Sequence, residues 1–306
     1  MNVHLKRWLV VSGAAVVIAA GVVVGGSYAR LESNLQTVDL AEELSGNARP
    51  PRPSQPPSTP GRPLTFLLIG RDDGRSDTAM VVQLNAKGDT ARVISIPRDT
   101  MVPRPRCGNH PPAGIAMFNS AFTTGGAACT VATVEQMSNL RIDHFVQIDF
   151  NGFRDVVDRL GGVDITLPEA IDDNKSGLHV PAGPNRLDGT QALAFVRTRY
   201  SIGDGSDLNR IKNQQLFMTA LSQKLADENW LGSPQKTFEL ADVLTKSIVT
   251  DEELGSISAL ADLAGKLTAL KPGNITFVTL PVEQYLPDPN RVQPKQPEAD
   301  ALWQAA

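Results

Sequence analysis

The stretch Leu64-Thr-Phe-Leu-Leu-Ile-Gly-Arg-Asp-Asp-Gly-Arg-Ser-Asp-Thr-Ala-Met-Val-Val-Gln-Leu84 reads as two apolar runs around a loop dense in charge. Thr65–Ile69 and Met80–Leu84 are β-rich and bounded by Gly, Asp and Asn, the pattern of short strands. Charges packed directly after an apolar strand place the loop at one end of a sheet. On an extended backbone there, Arg75 and Asp77 share a face. Ala91–Ile96 adds a third strand, and Pro97-Arg98-Asp99 puts charge at its end as well. Taken singly, each charged loop also fits a solvated turn.

Further along, Phe145–Phe150 alternates as a strand and leads into a helix over Asn151–Leu160, closed by Gly161-Gly162. Val163–Leu167, Leu193–Thr198 and Ile275–Leu280 read as further strands. Helices are predicted over Thr130–Leu140, Leu208–Glu228, Phe238–Ser247 and Glu252–Leu270. Strands interleaved with helices indicate an α/β or α+β domain with helices packed on the sheet.

Before residue 64 the character changes. His4, Lys6 and Arg7 precede an uncharged run from Trp8 to Gly26, and the next charge is Arg30. About 22 residues free of charge match the ~20 that span a bilayer. Basic residues ahead of them favour an N-terminus inside and a body outside. A cleaved signal is the alternative, because Ser27-Tyr28-Ala29 fits a small-x-small cleavage site. Residues 30–46 read as a stalk. Asn47–Pro63 carries seven prolines in seventeen residues, a semi-rigid spacer of polyproline II character. The expected organisation is therefore residues 1–29 as cytoplasmic tip and anchor, 30–63 as stalk and spacer, and 64–306 as the extracytoplasmic domain. Cys107 and Cys129 fall in the exported part, where disulfides persist, so a bridge is expected over two free thiols.

A 41% hydrophobic content supports a sizeable core, and a net charge of −4 argues against a nucleic-acid partner. Any anion site must be built locally. In Ala194-Phe-Val-Arg-Thr-Arg199, Arg197 and Arg199 lie two apart on the predicted strand, hence on one face. Paired guanidinium forks suit a dianion such as pyrophosphate. Asp207 is a good N-cap for the helix that follows. Ile211, Met218, Leu221 and Leu225 mark its buried side, and Arg210 and Gln214 fall on that arc with Asp207. Asn209, Lys212 and Gln223 are expected to point away. An arginine facing inward at a helix N-terminus suits an anion, although a buried Asp207–Arg210 pair explains it too. The four histidines, His4, His110, His144 and His179, are scattered, and neither a G-x-S-x-G elbow nor a P-loop is present. Acidic and guanidinium groups remain, a set suited to Mg²⁺ and phosphoryl transfer.

These segments, in order, resemble the LytR-CpsA-Psr family of Gram-positive cell-wall enzymes, in its actinobacterial form. The resemblance runs over most of residues 64–285. It is carried by Leu68-Ile-Gly-Arg-Asp72, Arg75-Ser-Asp-Thr78, Ser95-Ile-Pro-Arg-Asp99, Phe118-Asn-Ser-Ala-Phe122 with Gly125-Gly126, and Val146-Gln-Ile-Asp-Phe-Asn-Gly-Phe153. Leu160-Gly-Gly-Val163, Leu187-Asp-Gly-Thr-Gln-Ala-Leu193 with Val196-Arg-Thr-Arg199, and Asp207-Leu-Asn-Arg-Ile-Lys-Asn-Gln-Gln215 complete it. Membership implies a three-layer α-β-α sandwich around a mixed central sheet, with an apolar pocket for a polyprenyl tail. It implies Mg²⁺-dependent transfer of a glycopolymer from polyprenyl pyrophosphate to a peptidoglycan hydroxyl, at the membrane lipid's surface. Asp72 and Asp77 match the metal ligands, with Asp73 an alternative to Asp72. Arg75, Arg98, Arg197, Arg199 and Arg210 match the pyrophosphate arginines, with Asp207 and Gln214 in the same site. Asp77 and Asp99 are the candidate bases. Asn213 stands where the family commonly has a basic residue, and no further C-terminal domain is expected. A pyrophosphatase acting on the carrier lipid, or a non-catalytic wall-binding protein, are the alternative readings.

Overall fold

The computed structural model describes residues 28–52, 62–72, 74–198, 207–230, 233–267 and 269–304. The proposed anchor therefore lies outside the described residues, among which no helix is long and apolar enough to cross a membrane. In chain order the strands are β1 (Gln36–Val38), β2 (Leu64–Asp72), β3 (Arg75–Leu84), β4 (Ala91–Ser95), β5 (Met101–Arg104), β6 (Ala113–Met117) and β7 (His144–Asp149). They continue as β8 (Val163–Leu167), β9 (Ile171–Asp173), β10 (Leu178–Val180), β11 (Gly183–Leu187), β12 (Ile248–Asp251), β13 (Ile275–Thr279), β14 (Val282–Gln284) and β15 (Val292–Pro294).

Seven of them form one sheet in the order β1-β12-β7-β2-β3-β4-β13. It is mixed: β2 runs parallel to β7 and antiparallel to β3, and β4 runs parallel to β13. Side chains alternate across it as the pleat requires. Leu67, Ile69, Ala79 and Val81 are buried in one core with the Phe118–Ser138 helix. Leu68, Gly70, Thr78 and Met80 face the other way, toward the helices Phe150–Arg159, Gly189–Arg197, Asp207–Asp227 and Pro234–Ser247. The fold is α/β, with helices on both faces of a mixed sheet.

Local chemistry explains the elements that carry the site. Gly74 turns the β2–β3 hairpin with φ +84°, a left-handed conformation that suits glycine. Asp149 caps the Phe150–Arg159 helix by accepting from the Gly152 N–H. Its C-terminus is a Schellman motif, with Gly162 N donating to Val157 O at 3.0 Å and Gly161 N to Asp158 O at 2.9 Å.

Two expectations fail. Leu193–Thr198 is no strand but the end of the Gly189–Arg197 helix, started by a capping box between Asp188 and Gln191. Nor is the segment ahead of residue 64 a simple stalk. Residues 36–38 add the edge strand β1 beside β12, and Leu31, Leu40 and Leu44 are buried. Arg49 then clamps the buried Glu135 carboxylate, Nε at 2.9 Å and Nη2 at 2.7 Å. Arg52 reaches Asp143 at 3.3 Å, and Arg62 pairs with the same carboxylate. Proline content kept this stretch from forming a core of its own, but its arginines and leucines found partners on the domain.

Cys107 and Cys129 are bonded, with Cα atoms 5.1 Å apart. The bridge ties the β5–β6 connection to the Phe118–Ser138 helix just past its kink at Gly125 and Gly126. A Cβ on Gly125 would lie 3.0 Å from both cysteine Cβ atoms, so this close approach needs glycine. Replacing both cysteines by serine is expected to lower stability by about 3 kcal/mol on the loop-entropy account. An unchanged denaturation midpoint would contradict this.

Candidate active site

The β2–β3 hairpin carries the charged residues in pairs. At its tip Asp72 lies opposite Arg75, and Arg71 opposite Ser76. Asp72 accepts from Arg197 Nη2 at 3.1 Å, and the Arg197 guanidinium lies 4.4 Å from the centre of the Phe150 ring. Two residues along from Arg75, Asp77 accepts from Arg98 Nη1 at 2.5 Å. Asp99 lies 3.8 Å from Arg98 Nε and accepts from Arg291 Nη1 at 3.1 Å. Arg291 comes from the β14–β15 hairpin. Its contact spans 192 positions of sequence, and a lone arginine in a proline-rich loop carries no pattern that points to it.

Main-chain contacts fix Arg98. Its carbonyl accepts from Asn119 N at 3.1 Å, and the Thr100 carbonyl from Phe118 N at 2.8 Å. Two of the N–H groups left over at that helix start are thereby satisfied. Thr123 Oγ1 donates to the Gly74 carbonyl at 3.3 Å, which holds the same helix against the hairpin turn.

From the other face comes the Asp207–Asp227 helix. Arg210 is buried at 4% exposure, and Gln214, one turn on, is buried too. Gln214 Nε2 donates to Thr78 Oγ1 at 2.9 Å and to Val196 O at 3.2 Å. The inward placement of Arg210, Ile211 and Gln214 agrees with the helical arc, while Asn209, expected to point outward, is buried. This end of the helix is enclosed on more than one side, so a two-sided wheel does not describe it. Arg197, as the last residue of a helix, does not share a strand face with Arg199. Arg199 lies outside the described residues, as do Asp73 and the side chains of Arg75 and Asp207.

Two spaces adjoin some of these groups, Asp72 and Arg197 in the first, Thr78 and Gln214 in the second; Asp77, Arg98, Asp99 and Arg210 line neither. A polar cleft of about 470 Å³ is lined by Arg71, Asp72, Asn151, Arg154 and Arg197 among others. It shares Asp149, Phe150 and Leu193 with a cavity of about 320 Å³ beneath the sheet, whose walls are almost wholly apolar. Met80, Phe153, Phe217, Met218, Leu221 and Leu244 belong to those walls. The combination suits a ligand with an anionic head and a hydrocarbon tail.

Among the described residues no three His, Cys, Asp or Glu side chains gather as a ready-made metal cage. The donor chemistry nonetheless fits Mg²⁺, which is commonly held by one or two carboxylates together with waters and substrate phosphates. Asp72 and Asp77 offer hard oxygen ligands, Asp72 beside Arg197 and Asp77 beside Arg98.

The sequence pattern of the LytR_cpsA_psr family matches residues 28–306. The cell wall biosynthesis protein LcpA of Corynebacterium glutamicum is 32% identical over 240 residues, 72% of this chain and 45% of LcpA. The chain thus spans about half the length of that relative. The polyisoprenyl-teichoic acid–peptidoglycan teichoic acid transferase TagT of Bacillus subtilis is 34% identical over 240 residues, 72% of this chain and 71% of TagT. A solved structure of TagT bound to LI-WTA superposes with a TM-score of 0.65 at 25% identity, covering 88% of this chain and 97% of that one.

Proposed function

Because the chain belongs to the LytR-CpsA-Psr family, we propose that it is a phosphotransferase that moves a glycopolymer from polyprenyl pyrophosphate to a hydroxyl of peptidoglycan. The observation that carries this reading is the polar, arginine-lined cleft next to an apolar cavity, the two sharing Asp149, Phe150 and Leu193 as walls. A pyrophosphate head and a prenyl tail need those two environments side by side. TagT, whose name states the teichoic-acid version of this reaction, supports it.

In the reaction, an acceptor hydroxyl oxygen attacks the phosphorus on the glycopolymer side. The bond from that phosphorus to the bridging oxygen breaks, and polyprenyl phosphate leaves. Arg197, in the wall of the polar cleft, holds phosphate oxygens, with Arg210 of the Asp207–Asp227 helix and Arg98 beside Asp77 as further donors. Fixed donors of this kind stabilise charge that grows in the transition state. The acceptor proton passes to a carboxylate; Asp77 and Asp99 are both paired with arginine, and Asp99 suits the task better because Asp77 would also ligate Mg²⁺. When bound at Asp72 and Asp77, Mg²⁺ would supply further neutralisation of phosphate charge. The apolar run Trp8–Gly26 supports a single-pass anchor with the domain outside the cytoplasm.

Incubation with a polyprenyl-pyrophosphate-linked glycan and a peptidoglycan acceptor should yield a phosphodiester-linked product, dependent on Mg²⁺. Release of free glycan phosphate alone, with acceptor present, would instead assign a hydrolase.

A further inference from the structure

Thr198 follows Arg197 directly and is almost wholly buried, at 1% exposure. Its hydroxyl and its carbonyl are each held by a residue of another element. The hydroxyl donates to Asp173 Oδ2, a buried carboxylate at the end of β9. Its carbonyl accepts from Asn213 Nδ2 at 3.4 Å, and Asn213 is buried at 3% exposure on the helix that carries Arg210. The next residue of that helix, Gln214, holds the carbonyl of Val196, just before Arg197. Thus two successive amides of one helix grip the last carbonyls of another, groups that a helix end leaves without intrahelical partners.

Asp173 is itself anchored, accepting from Lys175 N at 2.9 Å and Ser176 N at 3.4 Å. Burial alone would raise its carboxyl. The hydrogen bonds from Thr198, Lys175 and Ser176 outweigh that and hold it below the usual carboxylate range. The ionised form is therefore the one that grips the Thr198 hydroxyl.

We infer that Asp173, Thr198 and Asn213 are positioning residues: a buried clasp that joins the C-terminus of the Arg197 helix to the N-terminal turns of the Arg210 helix, and so sets the spacing of the two guanidinium groups. The inference rests on the pyrophosphate reading of the site. None of the three touches the phosphates; they act through Arg197 and Arg210. A loosened clasp lets the two arginines drift, and displacements of about 1 Å at a reacting centre can cost a hundredfold.

The test uses the full chain, a polyprenyl-pyrophosphate-linked donor, and the variants Thr198→Val, Thr198→Ser, Asn213→Leu and Arg210→Ala. Valine keeps the shape of threonine without its hydroxyl, leucine that of asparagine without its donor, and serine retains the hydroxyl. For folded protein, kcat/KM for the donor should fall on the order of tenfold to a hundredfold in Thr198→Val and Asn213→Leu, with Thr198→Ser close to wild type. If Arg210→Ala loses activity while folded Thr198→Val and Asn213→Leu keep wild-type kcat/KM and merely melt earlier, the clasp is only structural and the inference is overturned. Wild-type activity in Arg210→Ala would remove the pyrophosphate reading itself, and the clasp's role with it. Should Thr198→Val fail to fold, Asn213→Leu decides from the other arm.

Discussion

Arg98→Ala and Arg210→Ala should each lower transfer by about 10²–10³, the loss of roughly 2.7–4 kcal/mol that removing one preorganised anion donor brings. Arg98 sits 2.5 Å from Asp77 and 3.8 Å from Asp99, a tether that fixes its guanidinium before any substrate arrives. Arg210 is held within a buried helix face whose neighbour Gln214 ties it to β3. Lysine should restore only part of the loss, because a point charge cannot reproduce a planar fork. Arg186→Ala is the control. That side chain is 64% exposed, pairs with Asp164 across the antiparallel β8–β11 pair, and does not line the cleft. Rates matching wild type in folded Arg98→Ala and Arg210→Ala would end the pyrophosphate-site reading.

Filling the apolar cavity should be nearly as damaging, but only for long donors. Leu244 lines the cavity beside Leu221 and Val156. Leu244→Trp would exclude about four carbons of the tail, most of one isoprene unit. At about 0.8 kcal/mol per buried CH₂, losing roughly four carbons costs about 3 kcal/mol, or about a hundredfold in donor affinity. A short-chain donor, whose tail does not reach that far, should bind the variant as it binds wild type. Equal losses for long and short donors would show that the cavity is not the tail site.

Much of this architecture is legible in the residues. β8 falls on the segment expected, and β2, β4, β7 and β13 differ from it only at their ends, because alternation and boundary residues agree there. Leu193–Thr198 reads as a strand because Phe and Val within it favour strands, yet it closes a helix. The stronger signal lay upstream, where Asp188 and Gln191 are spaced as a capping box. β1, three residues long, has no periodicity to read and exists because β12 offers a parallel edge. The candidate site was legible where charges follow a strand end, as at Asp72, Asp77 and Arg98. Arg291, Phe150 and Asn213 were not, since each matters through a contact made only when distant segments meet.

Arg52 and Arg62 both close on the carboxylate of Asp143. Both ends of the proline-rich stretch are thereby pinned at one point of the domain, as two threads through one eyelet. The length of the proline-rich stretch between them therefore sets no distance between whatever precedes residue 28 and the active site. Shortening or doubling that stretch changes only a loop-closure term of about 0.6 kcal/mol per doubling. For a chain anchored ahead of residue 28, as proposed above, the working height of the site is then governed by how residues 28–52 lie along the domain, a fixed stand-off rather than an adjustable leash.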